Sequence, residues 1–162
     1  MTQPAVFLDR DGTLIEEAGY LDRIERIQFF PFSIDAVRLL NHGGFAVVVV
    51  TNQAGVARGI FPESFVAVAH GHLRERLAAG GAAIDGFYYC PHHPDGTIEA
   101  YRRSCDCRKP GPRMLVRVMA FYGVRPRDTI FVGDSDSDRR AAAAAAVRFL
   151  DARELFGWDQ QT

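Results

Sequence analysis

Three distant stretches of this chain place acids or hydroxyls directly behind apolar runs: AVFLDRDGT reaches Asp9, FAVVVVTNQ reaches Thr51, and TIFVGDSDSD reaches Asp134. A carboxylate can attack phosphorus and carry it as an aspartyl phosphate, and Asp9 is the candidate for that role. Asp11 lies two residues further on, so an extended backbone would point both side chains to one side. From there it could protonate a leaving oxygen and then deprotonate the water that cleaves the aspartyl phosphate. Clustered carboxylates repel one another and an anionic substrate, a penalty that a hard, oxygen-preferring cation such as magnesium removes. Asp9, Asp134 and the backbone around Asp11 would form its ligand set. Gly12 permits a tight turn, while Thr51, Asn52 and Lys109 could hold the phosphoryl oxygens. Taken singly these signals are weak. Asp-Gly is a common turn, and Asp136 and Asp138 read equally well as helix-capping acids. The ordered set on successive strand ends is what points to phosphoryl transfer.

A second constellation reads CPHHPDGTIEAYRRSCDC, from Cys90 to Cys107. Cys90, His92, Cys105 and Cys107 supply three thiolates and an imidazole, a common tetrahedral set for structural zinc. His93 is an alternative fourth ligand or a residue facing the substrate. The chain has 3 cysteines, an odd number that argues against a disulfide framework. Arg102, Arg103, Arg108 and Lys109 stand close enough in sequence to balance the negative charge of such a centre.

The elements that must position these groups follow from the hydrophobic pattern. Ala5–Leu8 and residues 45–50, 87–89, 129–132 and 147–150 read as short buried strands. Ser33–His42 and residues 62–79, 112–122 and 137–146 read as helices, with Ser33 and Ser137 as N-caps and Gly43 and Gly123 as stops. The alternation predicts an α/β fold, a Rossmann-like three-layer sandwich around a mostly parallel sheet. In such sheets ligands bind beyond the carboxyl ends of the strands, where Asp9, Thr51 and Asp134 fall. The tail after Ala152, with Trp158, is expected to pack on the surface or fray. Residues 16–31 and 91–108 are the only sizeable loops, so residues 1–162 are read as one domain without a separate cap.

Bulk properties exclude other classes. With 19 basic against 20 acidic residues the chain lacks the basic face that nucleic-acid binding needs. Its longest apolar run is too short to cross a bilayer, and acids arrive too early for a secretory signal, so a cytoplasmic protein is expected; a monomer is expected as well. A phosphorylated signalling receiver would need an acceptor Asp behind a middle strand, where this chain has Thr51-Asn52-Gln53.

DRDGT, TNQ, the later lysine and GDxxxD (Gly133 to Asp138) resemble the four motifs of haloacid-dehalogenase-superfamily phosphatases. CPHHP with CDCRKP, and TNQAGVARG, closely resemble the D-glycero-D-manno-heptose 1,7-bisphosphate phosphatases within it. The resemblance runs from about Ala5 to Ala146. It implies Asp9 as nucleophile, Asp11 as acid/base, and magnesium on Asp9, Asp11 and Asp134. It further implies Thr51 and Lys109 at the phosphoryl group, Arg108 in substrate recognition, and zinc on Cys90, His92, Cys105 and Cys107. Glu17, Ala18, Gly19 and Tyr20, with Asn52, Gln53 and Ala54, would line the site of a small sugar bisphosphate. Arg58, Arg108 and Arg113 could supply cations for a second phosphate, and Ser135 stands where the family often has lysine. Histidinol-phosphate phosphatases and polynucleotide 3′-phosphatases share similar motifs and are the rival substrate classes; the longer metal loop here favours the heptose.

Overall fold

The computed structural model describes residues 3–156, and Trp158 lies outside them. Five parallel strands, β1 (Ala5–Leu8), β2 (Ala46–Asn52), β3 (Gly86–Cys90), β4 (Thr129–Gly133) and β5 (Arg148–Asp151), form one sheet in the order β3-β2-β1-β4-β5. The helices are α1 (Ser33–His42), α2 (Glu63–Ala79), α3 (Arg113–Tyr122), α4 (Asp136–Ala144) and the short α5 (Ala152–Phe156), which occupies the start of the expected tail.

The strands read as unbroken apolar runs because both sheet faces are covered. On one face Val6, Leu8, Val47, Val49 and Val132 pack with Val37 of α1 and Ala69, Leu73 and Leu77 of α2. The alternate residues Ala5, Phe7, Ala46, Val48, Val50 and Phe131 pack with Met114, Leu115, Val118 and Met119 of α3 and Ala141 and Ala142 of α4. Each large apolar side chain fully buried in this way contributes about 1.5–3 kcal/mol. The result is the three-layer α/β sandwich that the sequence predicts. No helix among the described residues is long and apolar enough to cross a membrane.

Two expected caps fall elsewhere. Ser33 is the first residue of α1 rather than its N-cap, which is Phe32, and the Ser33 hydroxyl is buried without a partner because that turn packs on the core. The N-cap of α4 is Ser135, not Ser137: its hydroxyl accepts from the Asp138 amide at 3.1 Å while the Asp138 carboxylate accepts from the Ser135 amide at 3.4 Å. The stop at Gly123 is as expected, a left-handed C-cap with φ 66°.

From β1 the chain moves to β2 and β3 on one side, then returns across β1 to β4 and β5 on the other. The strand order therefore reverses beside β1, and a crevice opens where the carboxyl ends of β1, β2 and β4 diverge.

Candidate active site

A cavity of about 310 Å³ occupies that crevice, lined by Asp9, Asp11, Thr51, Lys109 and Asp134 among others. Asp9 follows β1 directly, and its amide donates to Val132 O of β4 at 3.0 Å, which continues the sheet into the site. Gly12 adopts φ +84°, and a Cβ there would collide with the Asp134 carboxylate. A glycine is required for both reasons. One carboxylate oxygen from each of Asp9, Asp134 and Asp138 lies within 4.8 Å of the other two, a spacing that could hold a metal ion.

Lys109 crosses beneath these acids. Its ammonium donates to Asp9 Oδ1 at 3.0 Å, Asp138 Oδ1 at 2.6 Å and Val50 O at 3.1 Å, and the residue is 3% exposed. Burial disfavours its charge, yet Asp9 and Asp138 outweigh burial and hold the ammonium above its usual pKa. Burial also raises the Asp9 carboxyl well above the usual carboxylate range; Lys109 opposes this, and Asp138, Asp11 and Asp134 add to it. Asp134 is raised as well, first by burial and then by Asp138. Three crowded acids with one ammonium are short of positive charge, and hard carboxylate oxygens are the donor type that magnesium takes. Both Asp138 oxygens are already engaged, Oδ1 by Lys109 and Oδ2 by the Asp134 and Ser135 amides. Asp9 and Asp134 are thus the freer donors toward a cation.

The Asp11 carboxylate turns away from that group. Its Oδ1 accepts from Arg10 Nη2 at 3.1 Å and its Oδ2 from Gln53 Nε2 at 3.2 Å. Asn52 clamps the main chain of Lys109 in both directions, accepting from its amide at 3.0 Å and donating to its carbonyl at 3.0 Å. Thr51 Oγ1 accepts from Gln53 Nε2 at 3.0 Å. Residues 16–31 contribute Glu17, Gly19 and Tyr20 to the cavity wall, and Asn52, Gln53, Ala54, Arg108 and Ser135 line it as expected. Burial, then Asp11, raises the Glu17 carboxyl. One Arg108 guanidinium nitrogen is buried without a partner.

Ala18 and Arg58 do not line the cavity. The Ala18 carbonyl instead accepts from Arg26 at 2.6 Å, and Arg58 Nη2 lies 3.2 Å from His93 Nε2. Arg113 pairs with Asp106 on the surface at 3.0 Å, away from the second-phosphate role considered for it. Three residues that the sequence does not single out for chemistry belong to the site's framework. Asp138 had a visible signal, the last acid of GDSDSD, whereas Arg10 and His70 had none.

Beside the cavity, Cys90 Sγ lies 3.0 Å from Cys107 Sγ and 3.4 Å from Cys105 Sγ, and His92 Nδ1 is 3.5 Å from Cys107 Sγ. The four donor atoms fall within 4.8 Å of one another. Three thiols and an imidazole form a soft donor set that suits zinc, and with four protein ligands it leaves no open position for catalysis. His93 stands apart, its Nδ1 accepting from the Asp95 amide at 3.0 Å. This cluster is joined to the cavity by the Cys90 carbonyl, which accepts from the Gln53 amide at 2.8 Å, and by Cys107, which precedes Arg108 and Lys109.

A family profile described as HAD-hydrolase-like matches residues 106–150. The chain is 46% identical over 144 residues to the D-glycero-beta-D-manno-heptose-1,7-bisphosphate 7-phosphatase of Salmonella typhi, covering 89% of this chain and 77% of that protein. Identity to the protein of the same name from Escherichia coli strain K12 is 45% over 144 residues, 89% of this chain and 75% of that one. Among solved structures, the D,D-heptose 1,7-bisphosphate phosphatase from B. bronchiseptica, complexed with magnesium and phosphate, superposes with a TM-score of 0.82 at 32% identity, covering 92% of this chain and 79% of that chain.

Proposed function

This chain belongs to the D-glycero-beta-D-manno-heptose-1,7-bisphosphate 7-phosphatases of the HAD-like hydrolases, and from that premise we propose that it removes the 7-phosphate of the heptose bisphosphate through an aspartyl phosphate on Asp9. The observation that carries the mechanism is the buried Lys109 donating to Asp9 beside Asp134, at the strand ends where the sheet reverses. An Asp9 oxygen forms the new bond to phosphorus as the bond to the sugar oxygen breaks, and Asp11 gives that oxygen its proton. Asp11 then takes a proton from water, which attacks phosphorus and releases Asp9 and inorganic phosphate. Lys109 offsets part of the burial that disfavours charge on Asp9 and, with Thr51, faces the phosphoryl oxygens. Magnesium, held by Asp9, Asp134 and the main chain at Asp11, would neutralise charge on the transferring group.

The second phosphate supplies selectivity. Arg108 lines the cavity, and its guanidinium is the donor that such a group would meet. A charge-assisted hydrogen bond of about 1.5–3 kcal/mol gives roughly a tenfold to hundredfold preference over a monophosphate. The test compares kcat/KM for heptose 1,7-bisphosphate, histidinol phosphate and a 3′-phosphorylated oligonucleotide. Preference for either of the latter two overturns the substrate assignment.

Zinc on Cys90, His92, Cys105 and Cys107 would fix Arg108 and Lys109, which directly follow Cys107. Removing it with a chelator is expected to speed amide exchange across residues 91–108 and to raise KM about tenfold. A zinc-free protein with unchanged exchange and kinetics would contradict this role. A single capless domain acting as a cytoplasmic monomer completes the reading, in keeping with three free thiols gathered at one centre.

A further inference from the structure

Arg10 is 2% exposed and lies between the acid/base candidate and helix α2. Its Nε and Nη2 donate to Asp11 Oδ1 at 3.3 and 3.1 Å, and Nη2 also donates to Gln53 Oε1 at 3.2 Å. The remaining nitrogen, Nη1, meets Nε2 of His70 at 3.1 Å. A guanidinium has only donors, so His70 Nε2 is the acceptor and the ring proton sits on Nδ1. His70 is 5% exposed and stacks on Phe87 of β3 at 4.5 Å between centroids, 18° from parallel. We propose that His70 is a positioning residue for the phosphatase reaction: as a neutral acceptor it fixes the Arg10 guanidinium, and through it the carboxylate of Asp11.

The choice of residue follows from charge. An acid at this position would neutralise Arg10 and weaken its hold on Asp11, whereas an apolar residue would leave a buried N–H unsatisfied and free the guanidinium to turn. A neutral imidazole avoids both. Burial, with Arg10 and Arg74 nearby, lowers the ring's pKa to about 3, so it stays uncharged throughout the working range. Asp11 is then held on both oxygens, by Arg10 at Oδ1 and by Gln53 at Oδ2, and must keep its aim through two successive proton transfers.

The inference rests on Asp11 acting as acid and base, and the experiment separates the two ideas. His70→Phe keeps the stack on Phe87 and removes the acceptor; His70→Gln restores an acceptor at the Nε2 position. With the heptose bisphosphate, His70→Phe is expected to lower kcat about tenfold to hundredfold with KM within about twofold, since small misplacements of a reacting group cost this much. His70→Gln should recover most of the loss at a melting temperature similar to that of His70→Phe. Nitrogen NMR of the unmodified enzyme should show His70 neutral with its proton on Nδ1 from pH 5 to 8. An unchanged kcat in His70→Phe, equal losses in both variants, or a proton on Nε2 would each overturn the proposal. If the unmodified enzyme itself releases no phosphate, it is the phosphatase reading that fails.

Discussion

Asp9→Asn is expected to abolish turnover, lowering kcat by about 10⁴-fold or more, while the substrate still binds. The amide has nearly the shape of the carboxylate and its oxygen can still accept from Lys109, which lies 3.0 Å from Asp9 Oδ1. What it lacks is the charged lone pair that attacks phosphorus. Binding should hold or tighten, because one negative charge no longer opposes an anionic substrate. Calorimetric titration with the bisphosphate, paired with phosphate release, separates the two effects. Near-normal turnover would remove Asp9 from the mechanism.

Lys109→Met is expected to damage both activity and folding. The methionine fills much of the lysine's volume, so the loss isolates the charge. Asp9 and Asp138 would be left without their shared ammonium; Asp138 is 1% exposed. Removing one partner from a buried ion pair costs about 3–5 kcal/mol, and losing one electrostatic donor to a transferring group costs about 10²–10³-fold in kcat. Denaturant unfolding with and without magnesium checks the first figure. The cation should restore part of the stability, since it too supplies positive charge to the same acids. A variant within threefold of the parent kcat would show that Lys109 serves packing only.

How much of this was legible in the sequence depends on whether the cause was local. Asp9, Thr51 and Asp134 stood out because strands buried on both faces read as apolar runs, and a polar residue ending such a run must lie at the sheet's rim. The metal cluster was legible for a similar reason: its ligands come in two close pairs, and the structure brings His92 rather than His93 to the thiols. The Arg10 network was invisible because its partners, Gln53 and His70, lie 43 and 60 residues away: Gln53 stands in TNQ, but nothing in the sequence ties it to Arg10, and nothing marks His70. Arg58 could be seen as a cation, but a side chain's direction on a turn follows from φ and ψ that sequence leaves open; it meets His93 outside the cavity. The α4 cap went to Ser135 because Asp138 stands three residues beyond it and completes a reciprocal capping box, while its other oxygen holds Lys109.

The strand order carries a consequence for biosynthesis. β1 sits at the middle of the sheet, yet its neighbour β4 lies more than a hundred residues further along the chain and leaves the ribosome well after it. Until Thr129–Gly133 arrives, a growing polypeptide presents one flank of β1 as an open row of amides and carbonyls, the kind of edge that invites pairing with other chains. The same late strand delivers Asp134. A prematurely terminated product is therefore both sticky and inert: the sheet and the catalyst are completed by the same few residues.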